Sequence, residues 1–246
     1  MLAEERYEKI LKLLEEKKSV TVTEVRELLQ ASESTVRRDI TALNNAGKLV
    51  KVFGGAVAME HHYTSHEPTV AQKIELNREE KQRIAKYAAS LIGEEEFVYI
   101  DAGTTTGYML DYITQMNTTF VTNAVAHAQK LAAMGAHVLL VGGELKSSTE
   151  AVIGNQAMQT LLNYHFTKGF FGTNGISKME GLTTPDADEA LIKQSAMRQC
   201  QQRFVLCDYS KFNHVSSVSF AGIEDAVIIT DQIVKGYGEF EHIVAV

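Results

Sequence analysis

"ASESTVRRDITAL", residues 31–43, decides what kind of chain this is. Val36, Ile40 and Leu43 recur at i, i+4 and i+7, the apolar stripe of one helical face, and Ser32 stands where its hydroxyl can cap the helix. At about 100° per residue, Ser34, Arg38, Thr41 and Asn45 point away from that stripe, with Thr35 and Arg37 on its flanks. Two adjacent arginines on the free face of a helix ask for an anionic partner.

The flanking residues say which one. Upstream, Tyr7, Ile10, Leu11 and Leu14 recur at helical spacing, and Thr21 with Glu24 reads as a capping box opening a helix with Val25, Leu28 and Leu29 inside. Downstream of Gly47, "KLVKVFGGAVA" alternates and carries a Gly54-Gly55 turn, so it reads as a short hairpin. Three helices and a hairpin within residues 1–57, with a tight turn before the third helix, describe a winged helix-turn-helix domain. Ser34, Thr35, Arg37 and Arg38 then face the major groove of double-stranded DNA, and Lys51 on the wing can hold a phosphate. The alternative, a solvated basic face, does not account for cap, stripe and wing together.

The 246-residue chain carries a net charge of −7, which alone argues against a nucleic-acid binder. The charge is segregated, however. Residues 1–58 hold 10 Lys/Arg against 9 Asp/Glu, and residues 59–246 hold 14 against 22. A basic module is attached to an acidic body that does something else. No run approaches the ~18 to 20 apolar residues of a membrane span and no apolar leader opens the chain, so a cytoplasmic location is expected. Cys200 and Cys207 are expected to be ordinary reduced thiols.

Residues 58–77 break the periodicity and read as a linker; "MEHHYTSHEP" within them ends at Pro68. His61, His62 and His66 could suggest a metal site, but no Cys or carboxylate completes a set at ligand spacing, and the expectation is a solvated linker with no metal. From Arg78 to Val246 helical stretches alternate with short apolar runs such as "FVYI", "TTFVTNA", "HVLLVGGE", "KGFFGTNG", "RFVLCD" and "AVIITD", with a helix near Glu189 to Gln201. That alternation predicts a mostly parallel α/β domain covered on both faces.

In such sheets ligands sit beyond the carboxyl ends of the strands. "DAGTTT" follows "FVYI" directly: Asp101 opens the loop, Gly103 allows close backbone approach, and Thr104, Thr105 and Thr106 supply hydroxyls at a helix start. The threonines could serve only as caps. Asn123, Gly143, Asn174 and Lys211, each following another apolar run, favour a phosphate site shared among loops. No G-x-G-x-x-G follows a strand, so a dinucleotide cofactor is not expected.

"SESTVRRDITALNNAGKLVKVFGGA" closely resembles the N-terminal signature of the DeoR family of bacterial transcriptional repressors, and the resemblance continues nearly end to end. One departure lies in the wing, where the family commonly has Arg and His and this chain has Lys51 and Phe53. The body resembles the family's effector-sensing domain, similar in fold to ribose-5-phosphate isomerase and the glucosamine-6-phosphate deaminase group. Against the isomerase, the catalytic aspartate positions read as Phe171 and Asn174 and the glutamate as Lys193, so the resemblance implies a pocket that binds without acid-base groups. Asp186, Asp188 and Glu189 in "GLTTPDADEALIK" are left as candidate bases for a fused isomerase, and the resemblance implies that they hold sugar hydroxyls instead.

The expected protein is thus a non-enzymatic, oligomeric repressor of a sugar operon. The expected effector site comprises Asp101, Gly103, Thr104, Thr105, Thr106, Asn123, Gly143, Asn174, Glu189, Lys193 and Lys211. The motifs look most like those of fructose-operon repressors, which implies fructose 1-phosphate as effector. Tagatose 6-phosphate or another hexose phosphate is the alternative.

Overall fold

A computed structural model describes residues 3–17, 19–46, 48–52, 54–57, 62–64 and 70–246, and the chain divides into two compact units, 1–62 and 63–246. Gly47, Phe53, His61, His66 and Pro68 lie outside the described residues.

The first unit runs α1 (Ala3–Lys17), β1 (Ser19–Thr21), α2 (Val22–Leu29), α3 (Glu33–Asn45), β2 (Val50–Val52) and β3 (Gly55–Val57). Both predicted caps form. Thr21 Oγ1 accepts the Glu24 N–H at 3.1 Å while the Glu24 carboxylate accepts the Thr21 N–H at 2.8 Å, and Ser32 Oγ accepts the Thr35 N–H at 3.3 Å. Val36, Ile40 and Leu43 close on Ile10, Leu14, Val25 and Leu29 in a single core. Leu28 departs from expectation and is 44% exposed. It lies about 100° around α2 from its neighbour Leu29, off the stripe that Val22, Val25 and Leu29 define.

The wing hairpin gains a strand that the sequence pattern did not announce, because β1 pairs antiparallel with β3 in the order β1-β3-β2. Gly54 turns the hairpin at φ +87°, and Gly55 admits β1: a Cβ there would lie 2.0 Å from the Val20 carbonyl oxygen.

The chain continues through β4 (His62–Thr64), α4 (Val70–Ile74), α5 (Arg78–Ser90), β5 (Phe97–Ile100), α6 (Thr104–Met109), β6 (Thr119–Thr122), α7 (Val125–Ala133), β7 (His137–Leu140), β8 (Glu144–Lys146) and β9 (Ala151–Ile153). It ends with α8 (Asn155–Leu162), β10 (Phe166–Gly172), β11 (Gly175–Ser177), β12 (Gly181–Thr184), α9 (Ala187–Arg198), β13 (Cys200–Leu206), β14 (His214–Ser216), β15 (Val218–Ala221), β16 (Val227–Thr230) and β17 (Ile243–Ala245). Helix α4 forms inside the stretch expected to be linker. Helix α9 stops at Arg198, short of the predicted Gln201, because Cys200 and Gln202 join the ladder opposite Phe166 and Lys168.

Seven strands form one sheet in the order β17-β16-β13-β10-β5-β6-β7, every neighbouring pair parallel. Alternate residues serve opposite faces. Tyr99, Val121, Phe171 and Val205 pack with α8 and α9, while Val98, Ile100, Phe120, Phe170 and Phe204 pack with α5, α6 and α7. The chain winds outward from β5 through β6 to β7, then returns beside β5 as β10 and winds the other way. The point between β5 and β10 is therefore a topological switch point, where a crevice opens beyond the strand ends. Among the described residues no helix is long and apolar enough to cross a membrane.

Candidate functional site

On α3 the predicted face is outward. Ser34, Arg37 and Arg38 are exposed, and Thr35 is half-buried with its Oγ1 2.8 Å from Ser32 Oγ. The two arginines differ in availability. Arg37 is held by Glu33 one turn earlier, at 2.7 Å, whereas the Arg38 side chain has no hydrogen bond or ion pair among the described residues. Lys51 binds the wing to α3: its N–H donates to Asn44 Oδ1 at 2.9 Å and its ammonium to Thr41 Oγ1 at 3.0 Å. Behind this face Arg6 of α1 grips Asp39 with Nε and a terminal nitrogen at 2.6 and 2.9 Å, and Asp39 is 1% exposed. This fork fixes the roll of α3 and so the direction in which Arg38 projects. Asp39 was not singled out from sequence, yet a charged residue beside Ile40 at the edge of an apolar stripe was a legible signal.

The second site is a cleft at the switch point, lined from the loops that follow several strands and from α4, α5 and α9. Asp101, directly after β5, forms its floor. Its Oδ2 accepts the Gly172 N–H at 3.1 Å and the Lys193 ammonium, which also donates to the Gly172 carbonyl at 3.2 Å. Burial pushes the Asp101 carboxyl above its usual range, against the pull of Lys193. Lys193 also lies 5.6 Å over the Phe220 ring, so it is bound into the wall.

Gly103, Thr104 and Thr105 line the cleft beside Asp101, and neither threonine side chain has a hydrogen bond among the described residues. Three predicted positions serve the frame instead. Thr106 is fully buried outside the lining, its hydroxyl donating to the Asp101 and Gly103 carbonyls at 2.8 and 3.0 Å. Gly143 also lies off the cleft; a Cβ there would meet the Ile153 carbonyl oxygen at 2.5 Å, so glycine allows β9 to approach the turn. Asn123 does line the cleft, but its Oδ1 receives Tyr99 Oη at 3.1 Å and the Ala102 N–H at 2.9 Å, and its Nδ2 donates to the Val152 carbonyl. Asn174 is present with its Oδ1 accepting from Thr184.

The other wall is cationic. Lys73 from α4, Lys81 from α5 and Lys211 after β13 all line the cleft. Lys81 is buried and donates to the Lys73 carbonyl at 2.5 Å. Burial lowers its pKa to about 8; Asp208 opposes the shift and Lys211 and Lys73 add to it. Sequence reasoning anticipated Lys211 and missed Lys73 and Lys81. The signal for Lys81 was present: it sits at i−3, i−4 and i−7 from Ile84, Ala85 and Ala88, on the buried stripe of α5, where a lysine needs a reason.

Opposite lies Glu189, in the first turn of α9 and 8% exposed. Its Oε1 accepts the Lys146 ammonium at 3.0 Å and the Thr149 hydroxyl at 2.5 Å, both from the β8–β9 hairpin. Lys146 also pairs with Asp186 at 3.0 Å. Burial raises the Asp186 carboxyl, but the Glu189 N–H and Lys146 outweigh it and leave the pKa lowered. Cys207 lines the cleft as a buried thiol whose pKa burial holds well above normal, and Cys200, also free, is pushed up to about 12. Neither is a nucleophile in this state. The arrangement can bind an anion at one end and hydroxyls at the other.

Residues 6–62 match the DeoR-like helix-turn-helix domain, and residues 76–232 match the DeoR C terminal sensor domain. The chain is 42% identical over 231 residues to the uncharacterized HTH-type transcriptional regulator FruR of Bacillus subtilis (strain 168), spanning 94% of this chain and 91% of that one. It is 33% identical to the lactose phosphotransferase system repressor of Streptococcus mutans over 94% and 93% of the two chains. Among solved structures it is similar to ribose 5-phosphate isomerase A of Methanocaldococcus jannaschii, 13% identical, with a TM-score of 0.40 over 55% of each chain. Its two domain matches together span most of its length, and on that evidence the chain belongs to the DeoR family of helix-turn-helix transcriptional repressors.

Proposed function

We propose that the protein represses a sugar-utilisation operon in the cytoplasm and is released from its operator by a phosphorylated sugar, with fructose 1-phosphate as the effector. Residues 1–57 hold the DNA, and residues 78–246 sense the sugar together with Val70, Lys73 and Leu76, which come from the stretch expected to be linker. The protein acts as an oligomer whose paired winged helices occupy two half-sites. The observation that carries the reading is the cluster of Lys73, Lys81 and Lys211 facing the Gly103–Thr105 loop at the switch point, a concentration of positive charge in an otherwise acidic domain. Thr104 and Thr105 add hydroxyls to the phosphate end, and Glu189 and Asn174 take sugar hydroxyls. The similarity to a regulator named FruR supports the fructose assignment.

Catalysis is not part of this reading. Phe171 is fully buried in the sheet core, Lys193 is ion-paired with Asp101, and no residue at these positions is placed to take and return a proton. Operator footprints with fructose 1-phosphate, tagatose 6-phosphate and glucosamine 6-phosphate test the effector. Release by fructose 1-phosphate alone is expected; release by tagatose 6-phosphate alone would retain the repressor and replace its sugar. On the DNA side, Arg38→Ala should weaken specific operator binding by about 1 to 3 kcal/mol per half-site with the fold intact, and an unchanged affinity would remove Arg38 from the groove.

A further inference from the structure

The β8–β9 hairpin lines the cleft with Thr149 and Ala151, and it touches two other parts of the sensor at once. Its Lys146 ammonium and Thr149 hydroxyl converge on a single oxygen, Glu189 Oε1. Glu189 Oε2 has no hydrogen bond among the described residues and is not sealed from solvent, and Glu189 lines the cleft. At the tip of the same hairpin, one residue from Thr149, the Ser148 carbonyl receives the Val70 N–H at 3.4 Å. Val70 is the first residue of α4, the helix that brings Lys73 to the cationic wall.

Each contact has a chemical consequence. A carboxylate has about four lone-pair sites, so two donors on Oε1 leave Oε2 as an acceptor that a hydroxyl can use. An isolated glutamate side chain would rotate; with Oε1 pinned by a cation and a hydroxyl, the carboxylate is fixed in one orientation in the cleft lining, with Oε2 left to accept. The Ser148–Val70 bond, at 3.4 Å, is long for N–H to O, so a small movement of the hairpin can strengthen or break it.

Resting on the sugar-phosphate reading of the cleft, we propose that Lys146 and Thr149 are positioning residues. They present Glu189 Oε2 to the hydroxyls of the sugar, and the hairpin passes that contact through Ser148 to Val70 and α4. The phosphate is held at the lysine wall whether or not a sugar is attached. The hairpin therefore responds to the hydroxylated part of the effector, and inorganic phosphate alone leaves it unmoved. Sugar-phosphate selectivity and the signal toward the N-terminal side of the sensor originate in the same hairpin.

The full-length protein tests this by calorimetry with fructose 1-phosphate, tagatose 6-phosphate and inorganic phosphate, and by amide exchange at Val70. Thr149→Val, Lys146→Met and Glu189→Gln should each weaken the preferred sugar phosphate at least tenfold while inorganic phosphate changes less than threefold. Glu189→Gln can keep an oxygen for Lys146 and Thr149 and turn an amide NH₂ to the cleft, so it loses the sugar without losing the hairpin contacts. Thr149→Ser and Lys146→Arg restore a donor and should restore affinity. In the wild type the sugar phosphate slows Val70 exchange severalfold and inorganic phosphate does not; in Thr149→Val both leave it unchanged. Equal losses for sugar and inorganic phosphate, or Val70 protection that persists in Thr149→Val, would overturn the hairpin's role while the cleft keeps its ligand. A wild type that binds none of the three probes would overturn the cleft reading and this inference with it.

Discussion

Asp39 in the winged-helix unit and Asp101 in the sensor are both 1% exposed, and both meet a base, yet the two pairs do opposite things. Asp39 uses both oxygens on the Arg6 fork and lies behind the proposed DNA-binding face, so the pair orients α3 while Arg37 and Arg38 stay exposed outside. Asp101 gathers Lys193 and the Gly172 N–H on one oxygen at the floor of the cleft, so its pair lies inside the working surface. A buried ion pair is weak evidence for stability in general, because desolvation opposes the attraction. Its position relative to the ligand decides whether it acts as a frame or as part of the site.

The largest effect should come from breaking the frame. Arg6→Leu leaves the Asp39 carboxylate, 1% exposed, without its cation, and removing one partner of such a pair is strongly destabilising. Urea unfolding should show the loss in the N-terminal unit, while effector binding by the sensor unit, 63–246, stays as it was. If Arg6→Leu unfolds no more easily than the wild type, Asp39 is not held by Arg6 in solution.

Lys81 gives the next largest effect, and it tests the other region. Lys81→Met keeps the length of a buried side chain and removes the ammonium, so fructose 1-phosphate should bind more weakly by about 1.5 to 3 kcal/mol, the range for a hydrogen bond to a charged group. The pH dependence is a sharper signature. Because burial holds the Lys81 pKa at about 8, the free cleft loses this cation as pH rises through that value. Phosphate binding favours the charged form, so affinity should fall between pH 7.5 and 9 in the wild type, and the part of that fall due to Lys81 should vanish in Lys81→Met. Identical slopes in the two proteins would place the phosphate elsewhere.

These two residues also show what could be read from the chain. The outward face of α3 was legible because cap, stripe and arginines lie within thirteen residues, and helical geometry alone distributes them. The cleft was half legible. Loops that follow strands could be identified one at a time, which found Asp101, Gly103, Thr104, Thr105, Asn174 and Lys211. Lys81 stayed hidden inside "REEKQRIAKY", where it looks like one more solvated charge, and Lys73 lay in a stretch read as linker. Thr106 and Asn123 read as ligand contacts because their hydrogen-bonding capacity is written in the sequence; the carbonyls and hydroxyl that occupy it are set by the fold. The alternation of helices and short strands follows local patterns, whereas which polar groups remain available depends on contacts made across the sheet.

His127 extends the comparison to pH. It lies on α7 behind the threonine loop, 8% exposed, with Nδ1 buried and unpartnered among the described residues and Nε2 3.0 Å from where a Cβ on Gly107 would stand. Burial lowers its pKa to about 4; the Gly103 carbonyl opposes the shift and Lys130 adds to it. The unfolded chain therefore binds a proton near pH 6.5 that the folded chain refuses until about pH 4, so the stability this neutral ring supplies is complete above pH 6.5 and is lost as pH falls toward 4. Between pH 7 and pH 5 the sensor should lose about 2 kcal/mol through this group. His127→Gln should remove that part of the pH dependence, and an unaltered dependence would show that the ring titrates normally.

The smallest effect concerns Arg37, the arginine on the outward face of α3 that is ion-paired. Glu33 holds Arg37 at 2.7 Å, an exposed i,i+4 pair worth about 0.3 to 0.5 kcal/mol. Glu33 is also an acid in the first turn of α3, where the helix dipole favours it by about 0.3 to 1 kcal/mol. Glu33→Gln removes both contributions from the free protein, so its unfolding free energy should drop slightly. On DNA the same change releases Arg37 and takes a negative charge away from the phosphates, so operator affinity should rise by about 0.5 kcal/mol, with the gain shrinking as salt screens the added attraction. The two quantities are expected to move in opposite directions, which separates a residue that restrains the groove face from one that merely supports the helix. Measured by fluorescence anisotropy at two salt concentrations beside a urea melt, a fall in both would mean that Arg37 needs Glu33 to hold it in its DNA-contacting rotamer.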